Sequence, residues 1–219
     1  MTQRTTMEQS KIDNYVSARG AESYKADYDN KLHRRVSDRW ERAIFARMFA
    51  MVGRSETLLD LPCGAGRLFD LFQSHARSVL EADFSPSMLR LNADDHGRAA
   101  AGYVRCSGVE IPFADGSVDT VVSVRLNHHL VQQSDRERHV RELLRVARRA
   151  VILTYFSHYS LKNWLRRLRQ PFNKKGDKHT LSTRRVAELA REAGFVVRRL
   201  EPLSRFGSGH VFALLTRRA

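Results

Sequence analysis

Two carboxylates and two glycines have the residue types and spacing of a small-molecule site. Asp60 ends a short apolar run, and Gly64 and Gly66 follow it in a turn. A helical pattern then leads to a second apolar run, which ends at Asp83. This order is the plan of a βαβ nucleotide-binding unit, in which the turn and the second acid meet the ligand. A carboxylate placed before the glycines would repel a phosphate and attract an ammonium group.

Two common phosphate-binding motifs are excluded at this turn. The dinucleotide fingerprint needs a third glycine three residues after Gly66, where this chain has Phe69. The Gly-Lys-Ser/Thr signature of a P-loop is absent from the sequence. There is also no Cys-x-x-Cys or His-Glu-x-x-His pattern, so no metal site is indicated. The two cysteines, Cys63 and Cys106, fit a reducing compartment.

Four segments resemble, in order and spacing, the motifs of the class I S-adenosylmethionine (SAM) methyltransferases, in the subfamily of the ubiquinone/menaquinone biosynthesis enzymes. They are Asp-Leu-Pro-Cys-Gly-Ala-Gly-Arg at 60–67, Asp-Phe-Ser-Pro-Ser-Met-Leu at 83–89, Pro-Phe-Ala-Asp-Gly-Ser-Val-Asp at 112–119 and Val-Ser-Val-Arg-Leu-Asn-His-His-Leu at 122–130. The resemblance covers residues 55–155 well and the last strands loosely. Pro62 stands where most of the family has glycine. Proline removes a backbone N–H, but SAM has no phosphate that needs this donor, so we expect Pro62 to form part of the cofactor pocket.

The alternation of strand and helix patterns predicts an α/β fold, with a mostly parallel sheet covered by helices on both faces. We expect strands at 57–61, 78–83, 102–106, 118–124, 151–155, 195–201 and 210–216. The resemblance implies a Rossmann-like sheet of seven strands, in which the last strand is antiparallel and lies beside the fifth.

Capping patterns predict where the helices start and stop. Ser85 followed by Pro86 is a helix start. Ser134 begins a capping box, which predicts a second start. A third helix is predicted from Ser182 to Gly194, where glycine can take the left-handed conformation after the last turn.

Two segments are additions to the common core. A helical apolar stripe precedes the first strand, at Leu32, Val36, Trp40, Ile44, Met48 and Met51. We therefore expect an N-terminal helical extension or lid over residues 1–54 and a methyltransferase domain over 55–219. A basic helical insertion is predicted at about 158–180, after the fifth strand. Its apolar face is Leu161, Trp164, Leu165 and Leu168, and lysines and arginines fill the other faces.

The resemblance implies how SAM is bound. Asp60 would hold the methionine ammonium group, and Asp83 would bind both ribose hydroxyls with one carboxylate. Gly64 and Gly66 would let the backbone approach the ligand closely, with Cys63 in the same turn.

Adenine recognition is expected to depart from the family pattern. Phe84 and Met88 would pack on the adenine ring or belong to the core. Ser107 stands where the family usually has an aspartate that contacts the adenine amine. The backbone of Ser107, Gly108 and Val109 would therefore make this contact.

Candidate catalytic residues follow the fourth strand. His128 and His129 lie near the carboxyl end of a central strand, where α/β sheets bind ligands. A neutral imidazole is a suitable base near pH 7. The alternative is that one histidine only forms a hydrogen bond within the helix that follows. Arg125 would reach the carboxylate of SAM or the acceptor.

Positive charge is concentrated toward the C-terminus. The net charge is +14, and residues 158–219 contain fifteen basic and four acidic residues, whereas residues 55–115 contain five basic and nine acidic ones. This asymmetry indicates an anionic partner. The basic insertion, with its cations over 161–178, would contact an anionic membrane surface, pack as a lid, or bind nucleic acid. No RNA-binding module is recognisable, so nucleic acid is the weakest of the three.

We therefore expect a methyltransferase with SAM as its cofactor. Its acceptor would be a small molecule, or a lipid- or glycan-linked one, with negative charge and an oxygen as the methylated atom. A cytoplasmic location is expected, with a peripheral position on the membrane surface left open. No apolar run reaches the ~20 residues that span a bilayer, and no signal peptide is apparent. The alternatives are an RNA methyltransferase and a catalytically silent SAM-fold protein that binds through its basic surface.

Overall fold

A computed structural model describes residue 17 and residues 32–157, 180–204 and 209–218, with side chains from residue 36 onward. Within these residues, seven strands form one sheet in the order β3-β2-β1-β4-β5-β7-β6. The strands are β1 (Ser55–Asp60), β2 (Ala76–Asp83), β3 (Gly102–Arg105), β4 (Val118–Ser123), β5 (Ala147–Phe156), β6 (Phe195–Pro202) and β7 (His210–Arg217). The predicted Rossmann-like α/β fold is confirmed.

Strand direction decides which residues meet at one edge of the sheet. The pairs β1–β2, β1–β4, β2–β3 and β4–β5 are parallel, so the carboxyl ends of these five strands lie at the same edge. β7 is antiparallel to both β5 and β6, as the resemblance implied. Phe156 at the end of β5 pairs with His210 at the start of β7. The first residue of β7 therefore joins the edge where the other strands end.

Helices cover both faces of the sheet. They are α1 (Leu32–Val52), α2 (Phe69–His75), α3 (Pro86–His96), α4 (Gln133–Val146) and α5 (Thr183–Glu192), with 3-10 turns at Gly97–Ala99 and Asn127–His129. One apolar cluster joins α4 and α5 to the sheet. A second joins α1 and α2 to the opposite face. None of the helices in the described ranges is long and apolar enough to cross a bilayer.

Two of the predicted helix starts are confirmed and one is wrong. The Ser85 hydroxyl accepts a hydrogen bond from the Met88 N–H (3.3 Å), and Ser182 accepts one from Arg185 (3.1 Å). At Ser134, by contrast, the capping box does not form, because α4 already begins at Gln133 and has no side-chain cap.

Helix α1 has the predicted length, but its buried face is rotated from the predicted stripe. Val36, Trp40 and Met51 are between 43% and 50% exposed. The residues that pack on the sheet are Ile44, Phe45, Met48 and Phe49. The reason is an aromatic cluster, in which the Phe45 ring meets Phe72 and Phe212 edge-on at 5.3 and 5.5 Å between centroids.

Part of what the sequence predicted cannot be compared with this structure. The apolar face of the basic insertion, at Leu161, Trp164, Leu165 and Leu168, lies outside the described residues, as does most of the predicted extension before Leu32.

Candidate active site

The turn after β1 is held against the end of β2 by backbone hydrogen bonds. The Cys63 N–H donates to the Ala82 carbonyl (2.9 Å), and the Gly64 N–H donates to Oδ2 of Asp83 (2.9 Å). The other oxygen of Asp83 accepts from the Ser85 N–H (2.8 Å). Asp83 is fully buried, and these bonds fix its carboxylate between the turn and α3. Each carboxylate oxygen can accept a second hydrogen bond, so the geometry is compatible with the predicted ribose contact.

Asp60, the last residue of β1, is 2% exposed, and its Oδ1 atom has no hydrogen-bond partner among the described residues. Burial and the negative charge of Glu81 raise the pKa of Asp60 well above its usual range, and the Arg67 guanidinium opposes this only in part. A buried carboxyl without a partner is unfavourable. A cationic group bound beside Asp60 would supply the missing partner, which fits the ammonium group of SAM.

Glu81 is a buried acid that the sequence analysis missed. It lies two residues before Asp83 on the same strand, so both side chains point to one face of the sheet. Its Oε2 accepts a hydrogen bond from the Asn92 amide (2.5 Å), and burial raises its pKa to about 7. Together with Asp60, these residues put three carboxyls beneath the cofactor turn. The sequence feature that could have identified Glu81 was its position as an acid in the middle of an apolar strand.

Gly66 has a structural requirement that the sequence did not reveal. Its φ is +78°, and a Cβ atom there would lie 2.5 Å from Oδ1 of Asn92 and 2.7 Å from the His96 ring. The turn therefore packs directly on α3, and only glycine fits. Gly64 also has a positive φ, +57°. The close approach of the backbone to a ligand at both glycines stays a prediction.

Neither Pro62 nor Cys63 shows a chemical role of its own. Pro62 is half-buried and follows a cis peptide bond. Cys63 is buried, and its thiol donates to the Gly64 carbonyl (3.4 Å). Burial raises the pKa of this thiol well above its usual range, so the thiol stays protonated and is a poor nucleophile. Both residues shape the turn.

The two candidates for adenine packing differ in exposure. Met88 is fully buried, which favours its core alternative. Phe84 is 46% exposed, and the Arg105 guanidinium lies over its ring, 5.8 Å from the centroid. The ring of Phe84 is therefore available for a ligand, whereas the side chain of Met88 has no exposed surface.

The segment predicted to read adenine through its backbone is held by a buried histidine. Nδ1 of His139 contacts the Gly108 carbonyl (2.6 Å), and Nε2 contacts the Ser123 hydroxyl (3.0 Å). A carbonyl only accepts, so Nδ1 carries the proton and Nε2 accepts from Ser123. Burial lowers the pKa of His139 to about 4, which keeps the ring neutral. Val109 is buried and Ser107 half-buried, so their contact with adenine stays a prediction.

Three imidazoles lie at the carboxyl edge of the sheet. The rings of His128 and His129 are 4.1 Å apart between centroids. His128 also meets His210 at 5.0 Å and Phe156 edge-on at 4.5 Å. His128 is nearly buried, whereas His129 is exposed. His210 was not predicted to lie here, because only the antiparallel pairing of β7 with β5 brings it to this edge. In the ranges that the structure describes, no group of three or more potential ligands could hold a metal ion.

Arg125 has a partner that the sequence did not predict. Its φ is +63°, and its Nε donates to Oε1 of Glu41 on α1 (3.2 Å). The other Glu41 oxygen accepts from Nη2 of Arg67 in the cofactor turn (2.6 Å). Glu41 is only 1% exposed. The Arg125 guanidinium thus binds helix α1, and its predicted contact with the carboxylate of SAM stays a prediction.

Comparison with known proteins shows similarity to methyltransferases. Residues 59–154 match the family described as "Methyltransferase domain". The demethylmenaquinone methyltransferase of Thermobifida fusca is 32% identical over 124 residues, which are 54% of this chain and 50% of that protein. An uncharacterized methyltransferase of Mycolicibacterium vanbaalenii is 31% identical over 161 residues, covering 70% of this chain and 55% of that protein. The chain thus spans about half the length of these relatives.

Solved structures show the same fold. Magnesium protoporphyrin IX methyltransferase from Synechocystis PCC 6803, with bound SAH, superposes with a TM-score of 0.75. The two chains are 14% identical, and the match covers 96% of this chain and 100% of that one. At this identity the likeness concerns the fold alone. It agrees with the Rossmann-like fold described above.

Proposed function

We propose that this chain, whose residues 59–154 match a methyltransferase domain, is a class I SAM-dependent methyltransferase that transfers the methyl group of SAM to an oxygen atom of a small-molecule or lipid- or glycan-linked acceptor. The observation that carries this proposal is the buried Oδ1 atom of Asp60, which has no hydrogen-bond partner in the described residues and lies near two other carboxyls, those of Glu81 and Asp83. A cationic cofactor satisfies that atom. An anionic dinucleotide would not.

The cofactor site is built from groups that bind and orient. Asp60 would hold the ammonium group, and Asp83 would hold the ribose from a carboxylate already fixed by two backbone N–H groups. When bound, SAM supplies an electrophilic methyl group on a positively charged sulfur. Methyl transfer needs the acceptor atom in line with that methyl group, so most of the catalytic effect comes from positioning.

The imidazoles at the carboxyl edge would serve the acceptor. His129 is exposed, and its ring is tilted by 39° against that of His128, so it is the ring best placed to meet a hydroxyl group. A neutral imidazole nitrogen of His129 would accept the proton that the hydroxyl group of the acceptor loses on methylation. His128, packed between Phe156 and His210, would keep this ring in place.

Charge supports an anionic acceptor. Residues 158–219 contain eleven more basic than acidic residues, and opposite charge raises the rate of encounter with an anionic molecule. The relatives carry different acceptors in their names, demethylmenaquinone and magnesium protoporphyrin IX. The identity of the acceptor therefore has to come from experiment.

Two measurements test the proposal. Isothermal titration with SAH and SAM should show binding, and Asp60→Asn should weaken SAM binding by about tenfold or more, because the variant lacks the buried negative charge. Absence of binding at millimolar SAH would contradict the cofactor assignment.

Methyl-labelled SAM, incubated with hydroxyl-bearing acceptors, anionic lipid extracts and RNA in parallel, should label one of the first two. Label in RNA alone would favour an RNA methyltransferase, and binding without transfer to any acceptor would favour a silent binding protein.

A further inference from the structure

A groove lined by five arginines lies at the edge of the sheet opposite the candidate active site. Its volume is about 590 Å³, and its floor is formed by the start of β5 and the end of β7, next to the end of α1. The arginines are Arg148, Arg149, Arg198, Arg217 and Arg218. All five are exposed. We call this feature the arginine groove.

The arginine groove is separate from the methyl-transfer site. Strand β5 begins at Ala147 beside the groove and ends at Phe156 beside His128. A strand rises about 3.3 Å per residue, so the two ends of β5 are about 30 Å apart. A small ligand in the groove could not receive a methyl group at the other edge. The groove therefore calls for a ligand of its own.

Positive charge in the groove is not balanced by the described part of the chain. Arg148 binds the carboxylate of Asp119. Within the described residues, none of the other four arginines forms a salt bridge. Like charges held this close repel each other, and a bound anion removes that repulsion. Four positive charges are thus available to a ligand.

Two of these arginines are already fixed in position. Arg149 donates to the Val52 and Arg54 carbonyls at the end of α1 (2.9 and 3.2 Å). Arg217 donates to the carbonyls of Ala147 and Arg148 (2.9 and 2.8 Å). Backbone carbonyls orient a guanidinium without cancelling its charge. A ligand therefore meets groups that have already lost part of their side-chain freedom, which lowers the cost of binding.

From these observations we propose that the arginine groove binds a soluble ligand with two or three adjacent phosphate groups, such as an oligophosphate. The planar guanidinium forks match phosphate oxygens in pairs. The groove has the size of a small-molecule site, on the order of 300–1,000 Å³. A single phosphate would leave most of that space and two or more of the four charges unused. A triphosphate balances all of them.

Single-stranded nucleic acid and a membrane surface fit the arginine groove less well than an oligophosphate does. Single-stranded nucleic acid is bound through bases stacked on aromatic side chains, and none of the described residues that line the groove is aromatic. The Phe195 ring lies beneath the Arg217 guanidinium, 4.7 Å from it, and is buried. Anionic membranes are recognised by basic clusters on an amphipathic helix or beside a membrane span, whereas these arginines lie mostly at the ends of strands around a cavity.

Titration with inorganic tripolyphosphate tests the inference on the full chain. The groove variant is Arg198→Gln with Arg218→Gln, chosen because neither side chain binds a backbone carbonyl of the described residues. The control variant is Arg90→Gln with Arg98→Gln, two exposed arginines outside the groove. We expect wild-type protein to bind tripolyphosphate about tenfold more tightly than orthophosphate. The groove variant should lose about tenfold in affinity, and the control variant should bind as wild type does.

Three results would overturn the inference. One is no binding of tripolyphosphate at low salt. Another is an equal loss in both double variants, which would mean that only overall charge matters. The third is tighter, groove-dependent binding of a single-stranded RNA or of phosphatidylglycerol vesicles than of tripolyphosphate. SAH titration of the groove variant verifies that its fold is intact. If wild-type protein fails to bind SAH, the proposed function fails and the groove inference is unaffected.

Discussion

Glu41 on helix α1 binds Arg125, which lies 84 positions later in the chain, through a hydrogen bond of 3.2 Å from Nε to Oε1. The same buried carboxylate binds Arg67 of the cofactor turn through its other oxygen. One side chain of the N-terminal helix therefore joins the two loops that flank the crevice between β1 and β4. In open α/β sheets this crevice, where the strand order reverses, is the place of ligand binding.

This relationship predicts that Glu41→Gln weakens cofactor binding. The variant keeps the shape of the side chain but removes the negative charge that Arg67 and Arg125 share, which is unfavourable for partly buried guanidinium groups, although Arg67 keeps Asp38 as a partner. We expect SAH affinity to fall about tenfold, or about 1.4 kcal/mol, with calorimetric titration as the measurement.

The matched control is Glu201→Gln. Glu201 also anchors α1, through Arg47, but does so on β6, away from the turn. Its loss should cost at most ~1 kcal/mol of folding stability, as for an exposed ion pair, and leave SAH affinity unchanged. Equal losses of SAH affinity in both variants would mean that Glu41 only fastens the helix.

Glu81→Gln should stabilise the protein at alkaline pH. The folded protein keeps the Glu81 proton up to about pH 7, whereas the unfolded chain releases it near pH 4.5. Folding stability due to this group is therefore full at low pH and is lost as pH rises to about 7. Glutamine cannot ionise and can still accept from Asn92. The variant should be more stable than wild type by on the order of 1–3 kcal/mol at pH 8.

Chemical denaturation at a series of pH values measures this effect. The stability gain of Glu81→Gln should shrink toward pH 5. Glu110→Gln, at an exposed position, is the control and should show no such gain. A Glu81 variant that is less stable than wild type at pH 8 would mean that the carboxylate has a partner that glutamine cannot replace.

Gly66→Ala should destabilise the fold much more than Gly116→Ala. Both glycines have a positive φ, +78° and +60°, so alanine is strained at either position. At Gly66 the new Cβ would also lie 2.5 Å from Asn92, whereas at Gly116 no atom of the described residues lies within 4 Å. We expect losses of about 1 kcal/mol at Gly116 and roughly 2–4 kcal/mol at Gly66, measured by urea denaturation. Similar values for the two variants would show that α3 moves aside easily.

His129→Ala should slow methyl transfer while cofactor binding is kept. If His129 accepts the acceptor proton, turnover should fall by roughly 10²–10⁴-fold, with SAH affinity unchanged. His128→Ala and His210→Ala should cause smaller losses, because these rings support His129 through packing. Replacement by glutamine separates the roles: His129→Gln stays slow if the ring accepts a proton, whereas a structural role would be largely restored. Normal turnover in all three alanine variants would leave positioning as the sole source of catalysis.

Much of the fold was predictable because local patterns and long-range packing agree. Ser85 and Ser182 start helices where the capping rule places them. β5, however, begins at Ala147, four residues before the predicted start. The charged residues Arg148 and Arg149 make the start of this strand resemble a loop in the sequence. Their charges are accommodated by Asp119 and by backbone carbonyls at the end of α1, contacts that depend on distant parts of the chain.

The candidate site was predictable only where its residues stand in one continuous motif. Asp60 and Asp83 could be assigned because each ends a strand beside a recognisable turn. His210 and Glu41 belong to segments without a motif. The antiparallel register of β7 brings His210 to the site, and the position of α1 brings Glu41 to Arg125. Periodicity could not orient α1 either, since the packing of Phe45 on Phe72 and Phe212 decided which face is buried.

The neutral ring of His139 gives this protein a built-in spectroscopic reporter. Its Nδ1 proton is buried and bound to the Gly108 carbonyl, so it exchanges slowly with water and should give a resolved signal far downfield in the proton NMR spectrum. The proton is hydrogen-bonded to Gly108, in the loop beside the expected adenine position. Its chemical shift would follow ligand occupancy directly, without a label, an acceptor or a coupled assay.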